Sequence, residues 1–409
     1  MSDVKPPLFN RTYLKIIIWI VAIAIVFLTA GQNSNSDFIR IHKHPDLPLY
    51  YVDNDDSTLQ LSFLFRTGVA INSEQQLLQQ LLLQQAEQQL AELTNQQPFS
   101  TMNAALSAGI SADKLQISIT LPAKQAKADT LKTMAKQLLE RLRAYHPDTD
   151  LEQRWAHLEA AQYLNLKDPE NRLLSTFGDL INSPVSVHPL QRFADFFHHS
   201  VRPEAVTLTL KGPDTEPLAE QLSSLLIASS DNTRINQPLS PRHQRLSPQG
   251  NQTYRLSGIA LPGRQQPQFA TELLAIRTLQ QLLQQQSQIT ARLVWKSLDK
   301  QGFVAMILQG SKINANENLD PLMQTLLAQL DDPLINNTRD MLHNNYQTQI
   351  EAIESQLSLL DTIAFYQLPL DYLNDFEEKL NQVDNAEVKK LITLFLTSPD
   401  RYQLTLPAY

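Results

Sequence analysis

The chain has 409 residues, too many for one ordinary core and enough for about two domains plus an anchor. It is 42% hydrophobic and 19% charged with a formal net charge of -8, a globular composition without the basic, aromatic-interleaved stripe that tracks nucleic acid. Zero cysteines exclude disulfides, thiol catalysis and cysteine-ligated zinc together, and suit a cytoplasmic or a periplasmic protein equally.

The first predicted element is a membrane segment. From Ile16 to Ala30 every residue but Thr29 is apolar, and counted back to Tyr13 the run has eighteen residues. As a helix this is about 27 Å long, just enough to span a bilayer. Lys5, Arg11 and Lys15 precede the apolar stretch that starts at Ile16, and Asp37, Asp53, Asp55 and Asp56 follow it. The positive-inside rule therefore puts the short N-terminus in the cytoplasm and the bulk of the chain outside, as in a bacterial inner-membrane protein facing the periplasm. A cleaved signal peptide is the other reading. Leu28 is a poor residue three places before a cut after Ala30, while a cut after Gly31 stays open.

Beyond residue 31 the elements come in two rounds. Residues 49 to 65 give two β-type runs around an acidic turn, with Leu59, Leu61, Phe63 and Phe65 on one face. A long helix over Glu74–Leu93, a strand over Leu115–Leu121 and a helix over Lys124–Tyr145 follow. Residues 150 to 182 read as helical, Ala205–Leu210 as a strand and Glu216–Ile227 as a helix. Residues 229 to 252 hold three prolines and almost no apolar periodicity, which marks a linker. The order then recurs: strand Tyr254–Leu261, helix Gln268–Gln286, strand Phe303–Leu308, helix Leu319–Leu330. Helices over Thr338–Leu360 and Glu387–Leu396 and a last strand, Tyr402–Leu406, close the chain. The pattern predicts an α+β protein of two homologous domains, 32–228 and 253–409, each a mixed sheet with helices packed on one face. The glutamine runs Gln75-Gln76, Gln79-Gln80 and Gln284-Gln285-Gln286 read as solvated faces of these helices.

Arg66-Thr67-Gly68 ends the first strand, and Asn103-Ala104 comes before the strand Leu115–Leu121. These phrases, and others that follow in order, resemble the Arg-x-Gly and Asn-Ala of the M16 (insulinase or pitrilysin-like) zinc peptidases and the mitochondrial processing peptidase subunits. The stretch Lys167 to Arg172 resembles the family's Asp-x-Pro turn, and Val201 to Leu208 its strand before Gly212. In the second half Ala291-Arg292-Leu293 through Gly302-Phe303 and the tail from Ile363 to Pro407 resemble the family ending. The resemblance covers about residues 48 to 409 and implies two domains enclosing a chamber in which an extended peptide joins a sheet edge.

Peptide cleavage in that family needs His-x-x-Glu-His on the first long helix, where two histidines hold zinc and the glutamate activates water. Here no histidine occurs between His44 and His146, so no alignment restores the motif. The place of the downstream glutamate ligand falls at Ala160 or Ala161, with Glu159 one step aside. The resemblance thus implies a non-catalytic homologue with no zinc and no other cofactor. Of the pair that holds substrate backbone in the family, Arg292 matches the arginine while Ala305 stands at the tyrosine position. Arg292 is the one candidate substrate-binding residue; the alternative is a structural role, paired with a carboxylate such as Asp299.

Other constellations are weak. His198 and His199 are adjacent near a helix end and point to different faces. His42 and His44 lack a third ligand. Two functional readings follow: a non-zinc subunit that pairs with an active M16 metallopeptidase in the periplasm and helps bind peptide or unfolded polypeptide, or a zinc-free scaffold or peptide-binding protein of a membrane complex.

Overall fold

The two rounds of elements become two sheets of one design. In the computed structural model the described residues are 38–144, 150–182, 188–227, 243–264, 268–287, 289–310, 313 and 319–409. The membrane segment expected over residues 13 to 30 lies outside them. Among the described residues no helix is long and apolar enough to cross a membrane.

The first sheet has the order β1 (His42–Lys43), β2 (Leu49–Asp53), β6 (Val206–Gly212), β3 (Thr58–Arg66), β5 (Lys114–Pro122), β4 (Ala105–Ile110). The second has the order β7 (His243–Arg245), β11 (Tyr402–Leu406), β8 (Tyr254–Pro262), β10 (Gln301–Gln309), β9 (Thr290–Ser297). β2 runs parallel to β6 and β7 parallel to β11, and every other neighbouring pair is antiparallel. The series β2-β6-β3-β5-β4 therefore repeats as β7-β11-β8-β10-β9, in order and in sense. β7 comes from the stretch expected to be a linker. Its three exposed residues are held by main-chain pairing to β11, which apolar periodicity does not report.

In the first half, α1 (Ser73–Thr94) is capped by Asn72, whose side chain accepts from the Gln75 N–H at 2.8 Å. Leu78, Leu81, Leu82 and Leu90 of α1 meet Leu59, Leu61, Phe63 and Phe65 of β3 in one buried core, joined by α2 (Ala128–Arg143). The segment 150–182 is two helices rather than one, α3 (Leu151–Asn165) and α4 (Pro169–Ile181). Asp168 caps the second through its carboxylate, 2.9 Å from the Asn171 nitrogen, and Pro169 has no N–H with which to continue the first. α5 (Pro189–Ser200) and α6 (Thr215–Ser223) complete the layer.

The second half has α7 (Phe269–Gln284), α8 (Asp320–Ala328), α9 (Asp332–Ile350), α10 (Ile353–Tyr366), α11 (Tyr372–Gln382) and α12 (Asn385–Thr397). The helix expected over Thr338–Leu360 is thus also two, parted at Glu351-Ala352 without a proline or glycine to announce it. α7, α8, α11 and α12 build the second core with Leu261, Val304, Met306 and Leu308 of the sheet.

The expectation that helices pack on one face of each sheet needs correction. Each half also lends one helix to the opposite face of the other's sheet. α4, from the first half, lays Leu173, Phe177 and Ile181 on Leu256, Phe303, Ile307 and Leu404 of the second sheet. α10, from the second half, lies on the first sheet, where Asp361 accepts from Thr209 Oγ1 at 2.6 Å and Gln116 Nε2 at 3.0 Å and pairs with Lys211 Nζ at 3.2 Å. One joint is apolar and the other polar. The reason lies in the strands: the outward residues of the first sheet include Ser62, Ser118, Thr207 and Thr209, all buried, and polar groups out of water need partners.

Glu272, in the first turn of α7, is only 5% exposed, and burial pushes its carboxyl up to about 7. Below about pH 4.5 folded and unfolded chains both carry the proton; above 7 the folded chain bears a buried charge. Stability should therefore fall as pH rises through this window. Glu272→Gln is expected to stabilise the protein at pH 8 by on the order of 2–3 kcal/mol more than at pH 4.5, read by urea midpoints at the two pH values. Equal gains at both would mean that Glu272 is solvated.

Candidate functional site

A groove of about 700 Å³ lies between the halves. One wall is α1, which presents Gln76, Leu77, Gln79 and Gln80; a second is α3, with Leu158, Ala161 and Gln162. The end of β4 and the turn after it contribute Ile110, Ser111 and Ala112, and β9 contributes Arg292, Val294 and Lys296. The apolar floor includes Ile71, Leu174, Leu298 and Phe303. β4 and β9 are the terminal strands of their sheets, so each has an edge that no described strand pairs.

Three of the four α1 side chains that line the groove, Gln76, Gln79 and Gln80, are amides. Gln79 is buried, and its amide nitrogen donates to Thr67 Oγ1 at 2.8 Å, to Ala112 O at 3.2 Å and to Gly68 O at 3.3 Å. It ties the loop after β3 to the turn after β4. Gln85 accepts from Arg154 at 2.9 Å, and Gln89 donates to Arg141 O at 3.4 Å. The glutamine face of α1 is therefore partly interior, contrary to the solvated reading. A signal was present: Gln79, Leu82, Ala86 and Gln89 share one helical phase, so the two glutamines flank core positions.

The positions expected for the downstream glutamate ligand, Ala160 or Ala161 with Glu159 one step aside, lie on α3. Ala161 lines the groove, whereas Glu159 is exposed on α3 outside the lining. Among the described residues no group of three or more His, Cys, Asp or Glu is placed to hold a metal ion. His42 stacks on Tyr51 with ring centroids 5.1 Å apart, and His44 Nδ1 accepts from the Asp46 N–H at 3.3 Å. His199 lies 3.3 Å from Arg202 Nη1, and burial first, then that cation, push its imidazole below the usual range. His198 packs edge-on to Phe197.

Arg292 lies in the groove, and its partner is Glu170 at 2.6 Å, in the first turn of α4, not Asp299. The pair crosses between the halves. Asp299 lies 3.7 Å from Arg66 Nε, and its backbone N–H donates to Asp113 at 3.0 Å. Asp113 also accepts from the Tyr366 hydroxyl at 3.0 Å. Ala305 is fully buried against α4, away from the groove. Lys296, two residues along the same face from Val294, is exposed and makes no ion pair among the described residues. Sequence reasoning missed it, because a lysine on an exposed strand carries no signal without knowledge of which face meets the other half.

The sequence matches no protein-family model and no curated protein. Solved structures do resemble the fold. A peptidase M16 inactive domain from Pseudomonas fluorescens is similar with a TM-score of 0.66 at 15% identity, over 91% of this chain and 98% of that one. A protease from Helicobacter pylori gives 0.59 at 12% identity, over 90% of this chain and 100% of the other. A chain of complex III2 from Candida albicans gives 0.58 at 13% identity, covering 89% and 95%.

Proposed function

We propose, from the premise that this chain has the M16 peptidase fold of that inactive domain, that it is a non-catalytic homologue holding extended polypeptide between its halves. It works as the zinc-free subunit beside a zinc-bearing M16 peptidase. The observation that carries the reading is the wall on α1, where Gln76, Gln79 and Gln80 face an open groove. A catalytic zinc site requires three protein ligands of the imidazole, thiolate or carboxylate type and a base for its water. Glutamine amides supply neither. The groove and the unpaired edge of β4 beside it nonetheless keep what an extended chain needs, main-chain hydrogen-bonding groups and flanking pockets. Attachment to a bacterial inner membrane through residues 13–30, with the bulk periplasmic, belongs to the same proposal.

The purified protein is expected to hold no stoichiometric zinc by elemental analysis and to leave unstructured peptides intact. Extracted gently from its native membrane, it is expected to co-purify with a chain carrying His-x-x-Glu-His. Tight zinc, with chelator-sensitive proteolysis lost on mutation of this chain, would overturn the non-catalytic reading. A monomer or homodimer, with no effect of its deletion on M16 activity, would overturn the pairing. The likeness to a chain of complex III2 favours a second reading, a zinc-free scaffold in a larger membrane complex. Co-purification with several non-peptidase subunits would decide for it.

A further inference from the structure

The chain as a whole is acidic, with 42 Asp and Glu against 34 Lys and Arg. Its groove is the reverse. Among the described lining residues there is no aspartate, glutamate or histidine, and there are two cations, Arg292 and Lys296. Both stand on β9 with Val294 between them, at positions i, i+2 and i+4 of one strand face. Side chains on one face of a strand repeat about every 6.8 Å, so the two cations are roughly 13 Å apart along β9. An extended ligand lying alongside has the same repeat. It would meet the cations with its own residues i and i+4 and meet Val294 with residue i+2.

We propose that the groove selects acidic polypeptide, an extended segment whose side-chain carboxylates at i and i+4 pair with Arg292 and Lys296. This rests on the reading of the groove as a polypeptide site and adds the class of segment it takes. Lys296 is the main reader, because among the described residues it makes no ion pair and it stands in solvent. Arg292 is about half exposed, and its pairing with Glu170 engages Nη1 alone. The remaining donors of its guanidinium fork are available to a second carboxylate. The opposite wall carries neutral amides, Gln76, Gln80 and Gln162, which repel neither charge; the amide nitrogens of Gln76 and Gln162 donate to the chain's own Ile71 and Ser73 carbonyls at 3.1 and 3.4 Å. A basic segment would find no anion in the lining to receive it.

The test uses full-length protein and fluorescent ten-residue peptides blocked at both termini, so that only side-chain charge differs. One carries Glu at i and i+4 around Val, the second carries Gln in place of Glu, and the third carries Lys. Anisotropy is expected to show the acidic peptide binding about tenfold tighter than the Gln peptide at low salt, with the gap closing as salt rises. Lys296→Glu should remove that gap, leave the Gln peptide unaffected and bring the Lys peptide to about the affinity the acidic one had. A merely structural lysine would not exchange preferences in this way. Equal binding of acidic and Gln peptides, unmoved by Lys296→Glu, overturns the charge selection and leaves the polypeptide site standing. No binding of any peptide overturns both.

Discussion

Phe177→Ala is expected to cost roughly 3–5 kcal/mol and to uncouple the two halves, because it empties the joint through which α4 holds the second sheet. The ring is fully buried, edge-on to Phe303 at 5.5 Å between centroids and to Tyr402 at 5.8 Å. The space is made on purpose by backbone: a Cβ at Gly258 of β8 would stand 2.7 Å from the Phe177 ring. Gly178, next in α4, plays the same part on the other side, since a Cβ there would lie 2.3 Å from the Ile71 carbonyl oxygen. The helix is thus clamped between the start of α1 and the second sheet. Urea unfolding can be followed by Trp155 in α3 and Trp295 in β9, in variants that keep one or the other. Wild-type protein should give coincident transitions, and Phe177→Ala should shift both midpoints and separate them. A loss below about 1 kcal/mol with coincident curves would show that the halves are held elsewhere.

That joint was hidden in the sequence for a definable reason. Leu173, Phe177 and Ile181 fall on one face of a helix, so their burial was legible, but periodicity names the buried face and not the surface that buries it. The same limit hid the exchange of α10. The strands β3, β5, β8, β10 and β11 were readable because their alternation is strong and apolar. β4, with the sequence Ala-Leu-Ser-Ala-Gly-Ile, and β9, beginning with Thr-Ala-Arg, were not read as strands, because small and charged residues on an exposed edge blur the alternation. These are the two edges that border the groove. The lack of histidine between His44 and His146, by contrast, needed no alignment, since it holds in any register. Arg292 was placed at the site by resemblance, yet its partner Glu170 lies 122 residues away in sequence, a distance at which no local pattern reaches.

Asp361→Ala is expected to destabilise the protein by about 3–5 kcal/mol, while Asp361→Leu combined with Lys211→Met costs little or stabilises it. The Asp361 and Lys211 side chains are each 11% exposed, and the carboxylate is the shared acceptor for Thr209, Gln116 and Lys211. Removing it leaves an ammonium and two neutral donors facing a void in the polar joint between α10 and the first sheet. Lys114 makes matters worse: burial lowers its pKa, and Asp361 and Asp113 are the two groups that pull it back up. Without Asp361 the Lys114 and Lys211 charges oppose each other with one counterion fewer. Removing both members of the Asp361–Lys211 pair abolishes the cost of dehydrating them, and leucine and methionine keep the volume, so the packing of α10 survives. Thr209 and Gln116 would lose an acceptor in the double variant, which limits the recovery to partial or slight gain. The double-mutant cycle of Asp361→Leu and Lys211→Met, measured by urea midpoints, should therefore be strongly non-additive, with the single Asp361→Leu variant far below wild type and the double close to it. Small, additive losses would mean that water already screens the pair and that the polar joint is held by its hydroxyls instead.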